Sequence, residues 1–215
     1  MKILPLRVKL LSPVFNYCRV TTGGAITSDF IGDIALTYAV NRVRKDRNFY
    51  KEFRRKPYYE ELKELDYYFS VGRPIRYEMT GIYTRNTLFN IDGFPDLAAI
   101  EASGKNLFKN YFKVQGIRPE GEFSTCLICK DSFSLALPFT IRLGTGRECM
   151  AIIDKDGNFD DNLWLNGFTL KTVFGNLHTT IQSLKSYCFE YKMENYILMK
   201  KISTEQVKVI FGGVF

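Results

Sequence analysis

An α+β fold built on an antiparallel sheet is what this sequence predicts, and three observations predict it. The chain opens on period-two alternation, with Leu4, Leu6, Val8 and Leu10 on one face and Pro5, Arg7 and Lys9 on the other. A helical stripe follows, in which Phe30, Ile34 and Tyr38 recur every four residues beside Ile31 and Ala35. A strand-rich middle then gives way to a second helical stripe and further strands. Strand, helix, strands, helix and strands is compatible with a βαββαβ, ferredoxin-like core. No repeat or low-complexity linker divides the chain, so residues 1–215 read as one domain, with insertions around 42–72 and 90–120.

Each element has its own reason. Ser28 or Asp29 can cap the first helix, which runs through about Val43. Before it, the segment from Arg19 to Ser28 is polar and contains Gly23 and Gly24, which reads as a loop. Residues 60–69, EELKELDYYF, suggest a short second helix, and Gly72 and Pro74 a loop. Phe123 to Ile128, Phe133 to Leu143 and Glu148 to Asp154 read as strands, the last closed by the turn Asp156-Gly157-Asn158. Leu170, Val173, Phe174, Leu177, Ile181 and Leu184 form the late helical stripe. Tyr187 to Lys192 and Tyr196 to Ile202 make a plausible hairpin, and Val207, Val209 and Phe211 alternate as a final strand.

Composition narrows the class. Forty-six per cent apolar residues, with 18 Phe and 13 Tyr, are ample for a packed core. No apolar run approaches the roughly 20 residues of a membrane span, and Arg7 and Lys9 interrupt any signal-peptide core. A cytoplasmic protein without membrane contact is expected. Five widely spaced cysteines do not form a secreted disulfide framework. Cys126 and Cys129 have C-x-x-C spacing but no second pair, so two small buried thiols are favoured over zinc.

Charge points to a partner. Residues 42–56, RVRKDRNFYKEFRRK, set eight Lys and Arg against Asp46 and Glu52 in a chain whose formal net charge is +7. Clustered guanidinium groups, here Arg42, Arg44, Arg54 and Arg55, match phosphate oxygens, and Phe49, Tyr50 and Phe53 offer faces for unpaired bases. The ordinary alternative is a solvated, salt-bridged helix face. Far downstream, Ile141-Arg142-Leu143-Gly144-Thr145-Gly146-Arg147 sets two glycines between two arginines, so the backbone can approach a phosphate that both guanidinium groups then clamp. It lacks the features of a Walker A or dinucleotide loop, and a glycine hairpin is its ordinary alternative. Two further polar clusters could meet RNA backbone or base edges: Tyr17, Arg19, Thr21 and Thr22 after the first strand, and Tyr83, Arg85 and Asn86.

Catalysis finds less support. His178 is the only histidine, which excludes a histidine acid–base pair within this chain. Asp154, Asp156, Asn158, Asp160 and Asp161 surround Gly157 but lack the downstream glutamate of a calcium loop. No cofactor and no metal site is expected. Metal-independent RNA cleavage by Tyr, Lys or Arg remains open, without a residue singled out for it.

Several segments together are similar to a known family. Phe30-Ile-Gly-Asp-Ile-Ala-Leu-Thr-Tyr-Ala-Val-Asn41, after a strand ending Leu11-Ser-Pro-Val-Phe-Asn-Tyr17, resembles the N-terminal signature of the Cas-five-type subunit of type I-D CRISPR Cascade (Csc one). Lys56-Pro-Tyr-Tyr-Glu-Glu61, Tyr83-Thr-Arg-Asn-Thr-Leu88 and Ile141-Arg-Leu-Gly144 follow in the family's order, so that the likeness covers roughly residues 6–153. Where the family commonly reads lysine, an aromatic and a further lysine after the glycine, this chain has Thr145, Gly146 and Arg147. Arg142 and Gly144 match.

The resemblance implies a RAMP-type, RNA-recognition-like fold with a thumb-like insertion. It implies a non-catalytic subunit that holds the 5′ handle of the CRISPR RNA. Its partners would be the first backbone subunit and the large subunit, with target DNA near the protospacer-adjacent motif a further one. The alternatives are a RAMP endoribonuclease that cuts precursor CRISPR RNA and a structural adaptor whose basic tract meets acidic protein.

Overall fold

The computed structural model describes residues 1–21, 24–47, 59–86, 111–144, 148–175, 188–193 and 196–215. Strand β1 (Lys2–Leu10) lies inside the main sheet, and its alternation is as the sequence predicts: Leu6, Val8 and Leu10 are fully buried on one face. On one side β1 pairs antiparallel with Glu122–Cys129, on the other with Cys149–Lys155. In chain order these are β8 and β10. Tyr67–Phe69 (β4) and Arg73–Arg76 (β5) share the outer edge of β8, and Phe139–Leu143 (β9) pairs with β10. The path is therefore β4–β8–β1–β10–β9.

Half of the expected core is present. Helix α1 (Asp33–Arg44) connects β1 to β4, and both strands run antiparallel to β8 between them, hence parallel to each other. The second half departs from βαββαβ. Between β8 and β10 stands β9, not a helix, and the late helix comes only after β10. The cause is local: Phe133, Leu135, Leu137, Phe139, Ile141 and Leu143 recur every second residue, a strand period that excludes a helical face. Only Phe139–Leu143 of that stretch forms ladder bonds; the residues before Pro138 cover the core as irregular chain.

The sheet is the middle of a layered body. On one face α1 packs Leu36 and Val40 against Leu6, Val8, Leu127, Ile141 and Ile153. On the other, Cys126, Ile128 and Tyr68 meet a second cluster with Leu165, Met199, Ile202 and Phe211. That layer holds Leu163–Asn166 (β11), helix α2 (Gly167–Thr172), Cys188–Met193 (β12), Tyr196–Ile202 (β13) and helix α3 (Thr204–Phe211). β12 and β13 form the predicted antiparallel hairpin.

Four further expectations are corrected. The first helix starts at Asp33 with Gly32 as its cap, while Ser28 donates its hydroxyl to the Phe30 carbonyl instead. Residues 60–69 are a 3-10 turn (Tyr59–Glu64) followed by β4, because Tyr67, Tyr68 and Phe69 are all buried in the sheet. The final alternating segment is helix α3: Ser203 and Gln206 form a reciprocal capping box, and Val207, Ile210 and Phe211 are buried at helical spacing. The polar segment from Arg19 to Ser28 is largely a hairpin of Tyr17–Thr21 (β2) and Gly24–Thr27 (β3), in keeping with Val20, Thr21, Ile26 and Thr27 being β-branched.

That hairpin belongs to a four-stranded sheet, ordered β2–β3–β7–β6, with Tyr111–Gln115 as β7 and Tyr83–Asn86 as β6. β3 and β7 run parallel; the other pairs are antiparallel. Ala25, Thr27 and Val114 bury one face. The Val14 and Ile117 backbones exchange hydrogen bonds of 3.0 and 2.9 Å, which ties this sheet to the main body.

Candidate nucleic-acid interface

Val14 and Phe15, on the link from β1 to β2, form the junction on which separate predicted clusters converge. Gly144 ends β9 at φ +82°, a left-handed conformation that glycine adopts freely. A Cβ there would stand 3.2 Å from Val14 Cγ2 and 3.3 Å from the Phe15 carbonyl oxygen. Gly116 closes the other side: its Cβ would lie 2.5 Å from the Val14 oxygen and 2.7 Å from the Phe15 ring. The Phe15 ring in turn meets Tyr83 edge-on, with centroids 5.9 Å apart. Tyr83 keeps 51% of its surface exposed, enough for a ring face to stack on a base.

Residues distant in sequence therefore share one neighbourhood. Gly144, Tyr83 and the Phe15–Tyr17 link meet there, and Arg142 is exposed two residues before Gly144, opposite Met150 in the sheet. The strand holding Tyr17, Arg19 and Thr21 and the strand holding Tyr83, Arg85 and Asn86 are the two edges of one four-stranded sheet. What read as two independent polar clusters are thus strands of one sheet. Sequence reasoning missed Lys113 on β7, which is exposed and paired in register with Thr84. A lone lysine in an apolar strand carries no motif.

The basic tract behaves differently. Arg44 is engaged within the chain: its Nε donates to Asp46 at 2.8 Å, its Nη1 to the Ser134 carbonyl at 3.1 Å, and its guanidinium lies 4.7 Å from the Phe133 ring centroid. Arg42 is exposed at the end of α1. Thr22, Arg54, Arg55, Thr145, Gly146, Arg147 and His178 lie outside the described residues.

Other reactive side chains among the described residues are buried or paired within the fold. Cys126 and Cys129 belong to clusters on opposite faces of the main sheet, and burial pushes both thiols up. Of the acidic cluster, Asp156 accepts from Arg7 and Ser124, each at 2.9 Å, while Asp160 pairs with Arg73. Among the described residues no group of three or more His, Cys, Asp or Glu side chains could hold a metal ion.

Residues 1–210 match the family described as "Type I-D CRISPR-associated protein Cas5/Csc1", and the chain belongs to that family. It is accordingly a component of a CRISPR-Cas complex. No curated protein has a significantly similar sequence. Among solved structures, a chain of the Type III-B Cmr-beta cryo-EM structure bound to cognate target RNA and AMPPnP is similar at 7% identity and TM-score 0.43, over 93% of this chain and 84% of that one. A chain of the same complex bound to cognate target RNA gives 6% identity and TM-score 0.42, over 98% and 90%.

Proposed function

We propose that this protein is the non-catalytic, RAMP-type subunit that holds the 5′ handle of the CRISPR RNA in a cytoplasmic type I-D Cascade, between the first backbone subunit and the large subunit. The observation that carries the reading is the convergence on Val14–Phe15 of segments matching the family's phrases: the end of the first strand, Tyr83 and Arg142–Gly144. An exposed arginine and a half-exposed tyrosine beside closely approachable backbone suit a splayed single strand, which offers phosphates to guanidinium groups and bases to aromatic rings. The lone histidine supports a holding role over cleavage by a histidine pair.

Two measurements test this. Arg142→Ala with Arg147→Ala is expected to lower the guide RNA content of the purified complex; unchanged content counts against the glycine loop as an RNA site. Purified protein incubated with labelled repeat RNA in EDTA is expected to leave it intact. Cleavage that disappears in a Tyr, Lys or Arg variant would show an endoribonuclease instead.

A further inference from the structure

The main sheet is covered on both faces at one end only. Toward its β4 end, the layer of β11, β13 and α3 packs on Tyr68, Cys126 and Ile128. Toward its β9 end, the face turned away from α1 has no such cover among the described residues. Register lays out a row on that face: Arg76 opposite Glu122, Glu122 opposite Lys9, Lys9 opposite Ile152, and Ile152 opposite Thr140. One step along the sheet, the Leu11 amide donates to the Met150 carbonyl at 2.8 Å, and Met150 stands opposite Arg142. Leu11 and Met150 keep 42% and 39% of their surfaces exposed, beside a half-buried Ile152.

Two features of this face define what fits it. An exposed apolar centre bordered by charged side chains is the anatomy of a protein contact, in which methionine is enriched and the rim is polar. The cations of the rim are already neutralised. Arg76 and Arg7 reach Glu122 at 3.0 and 3.4 Å, Arg7 reaches Asp156 at 2.9 Å, and Lys9 pairs with Glu120. A polyanion laid across these rows would meet Glu120, Glu122 and the exposed Asp154 together with the cations, so the face offers it no net attraction. None of the residues in the two rows is an aromatic that could stack on a base.

We infer that the open end of the main sheet docks a protein neighbour in the complex, which sets an uncharged, apolar side-chain cluster on Leu11, Met150 and Ile152. The inference rests on the proposed placement between protein subunits and names the surface that one of them takes. Arg142 borders both this patch and the Gly144 junction, so the neighbour stands directly beside the proposed RNA site. The contact draws its affinity from apolar burial rather than from charge, and screening by salt leaves it unchanged.

The test sets opposite charges on one spot of the assembled complex, with Met150→Lys and Met150→Glu. Both are expected to weaken retention of the same neighbouring subunit several-fold, at low and at high salt alike. Thermal midpoints of the variant chains equal to the parent's establish that the fold is intact. In a third variant, Met150→p-benzoylphenylalanine, illumination of the complex is expected to join this chain to that same subunit. A contact with RNA would answer the two charges with opposite signs; guide RNA lost from the Glu variant and kept by the Lys variant, with every subunit in place, overturns the inference. Crosslinks confined to this chain, or joining two copies of it, also overturn it. Both charge variants keeping every subunit, with no protein crosslink from position 150, overturn this surface and leave the placement between subunits standing. Release of the parent chain from all other subunits on ribonuclease treatment overturns the placement as well.

Discussion

Asp33, at the start of α1, accepts a 3.1 Å hydrogen bond from the side-chain amide of Asn166, at the cap of α2, across 133 residues of sequence. The carboxylate is fully buried and also accepts from Thr169 Oγ1 at 2.6 Å and from the Tyr68 hydroxyl. Asn166 meanwhile accepts from the Phe168 and Ile197 backbone amides. One polar knot thus joins the helix on one face of the main sheet to β4 and the layer on the other. Asp33→Ala would leave the buried donors on Asn166, Thr169 and Tyr68 without this acceptor, at a cost of about 3 kcal/mol or more. Urea denaturation would show the loss, and a midpoint unchanged from the parent would contradict the role.

Burial also sets the pH behaviour of that knot. Desolvation raises the Asp33 pKa above its ordinary value, more than its hydrogen bonds lower it. The folded state then binds the proton more tightly than the unfolded chain. The resulting stabilisation is fully present below the unfolded pKa of about 3.9 and is lost as pH rises through the folded value. Asp33→Asn should flatten this limb of the stability–pH curve, measured as urea midpoints from pH 4 upward. An identical limb in parent and variant would exclude Asp33 as its source.

Gly144→Ala tests the junction. A left-handed φ of +82° disfavours any side chain, and Val14 and Phe15 occupy the space the methyl group needs. A loss of about 1 kcal/mol or more is expected, lowering the thermal midpoint by about 2–4 °C for a chain of this size. Gly157, with nothing near its Cβ position, is the control site, where alanine should change little.

Three of the thiols should be silent in the native protein. Cys126, Cys129 and Cys149 are buried, and burial pushes Cys149 up to about 11. Three strand steps separate Cys126 from Cys129 by about 10 Å, too far for a disulfide. Ellman's reagent at pH 8 should react with these three cysteines only after denaturation, and zinc should not stabilise the fold. Rapid native labelling of Cys126 would contradict the burial.

Ser203→Ala removes the hydroxyl that accepts from the Gln206 amide at 3.3 Å in the α3 capping box. A cost of about 1 kcal/mol is expected. Because Phe211 of α3 lies against Tyr68 and Phe174, loosening the helix should show in the near-ultraviolet circular dichroism of those rings.

The chain's own pattern determined a good deal. Period-two alternation marked β1, β8 and β10, four-residue recurrence placed α1, and the short break at residues 193–195 announced the β12–β13 hairpin, because local side-chain periodicity follows directly from strand and helix geometry. The family phrases were equally legible, being short and contiguous. Pattern failed where two readings shared the same residues: Val207, Val209 and Phe211 alternate, yet Ser203 and Gln206 cap a helix over them. Only tertiary structure decided that the strand pattern over residues 133–143 forms ladder bonds from Phe139 onward alone, that Arg44 is drawn to Asp46, Ser134 and Phe133, and that Tyr17–Thr21 and Tyr83–Asn86 border one sheet. Strand pairing is a contact between residues far apart in the chain, so no local period records which strands become neighbours.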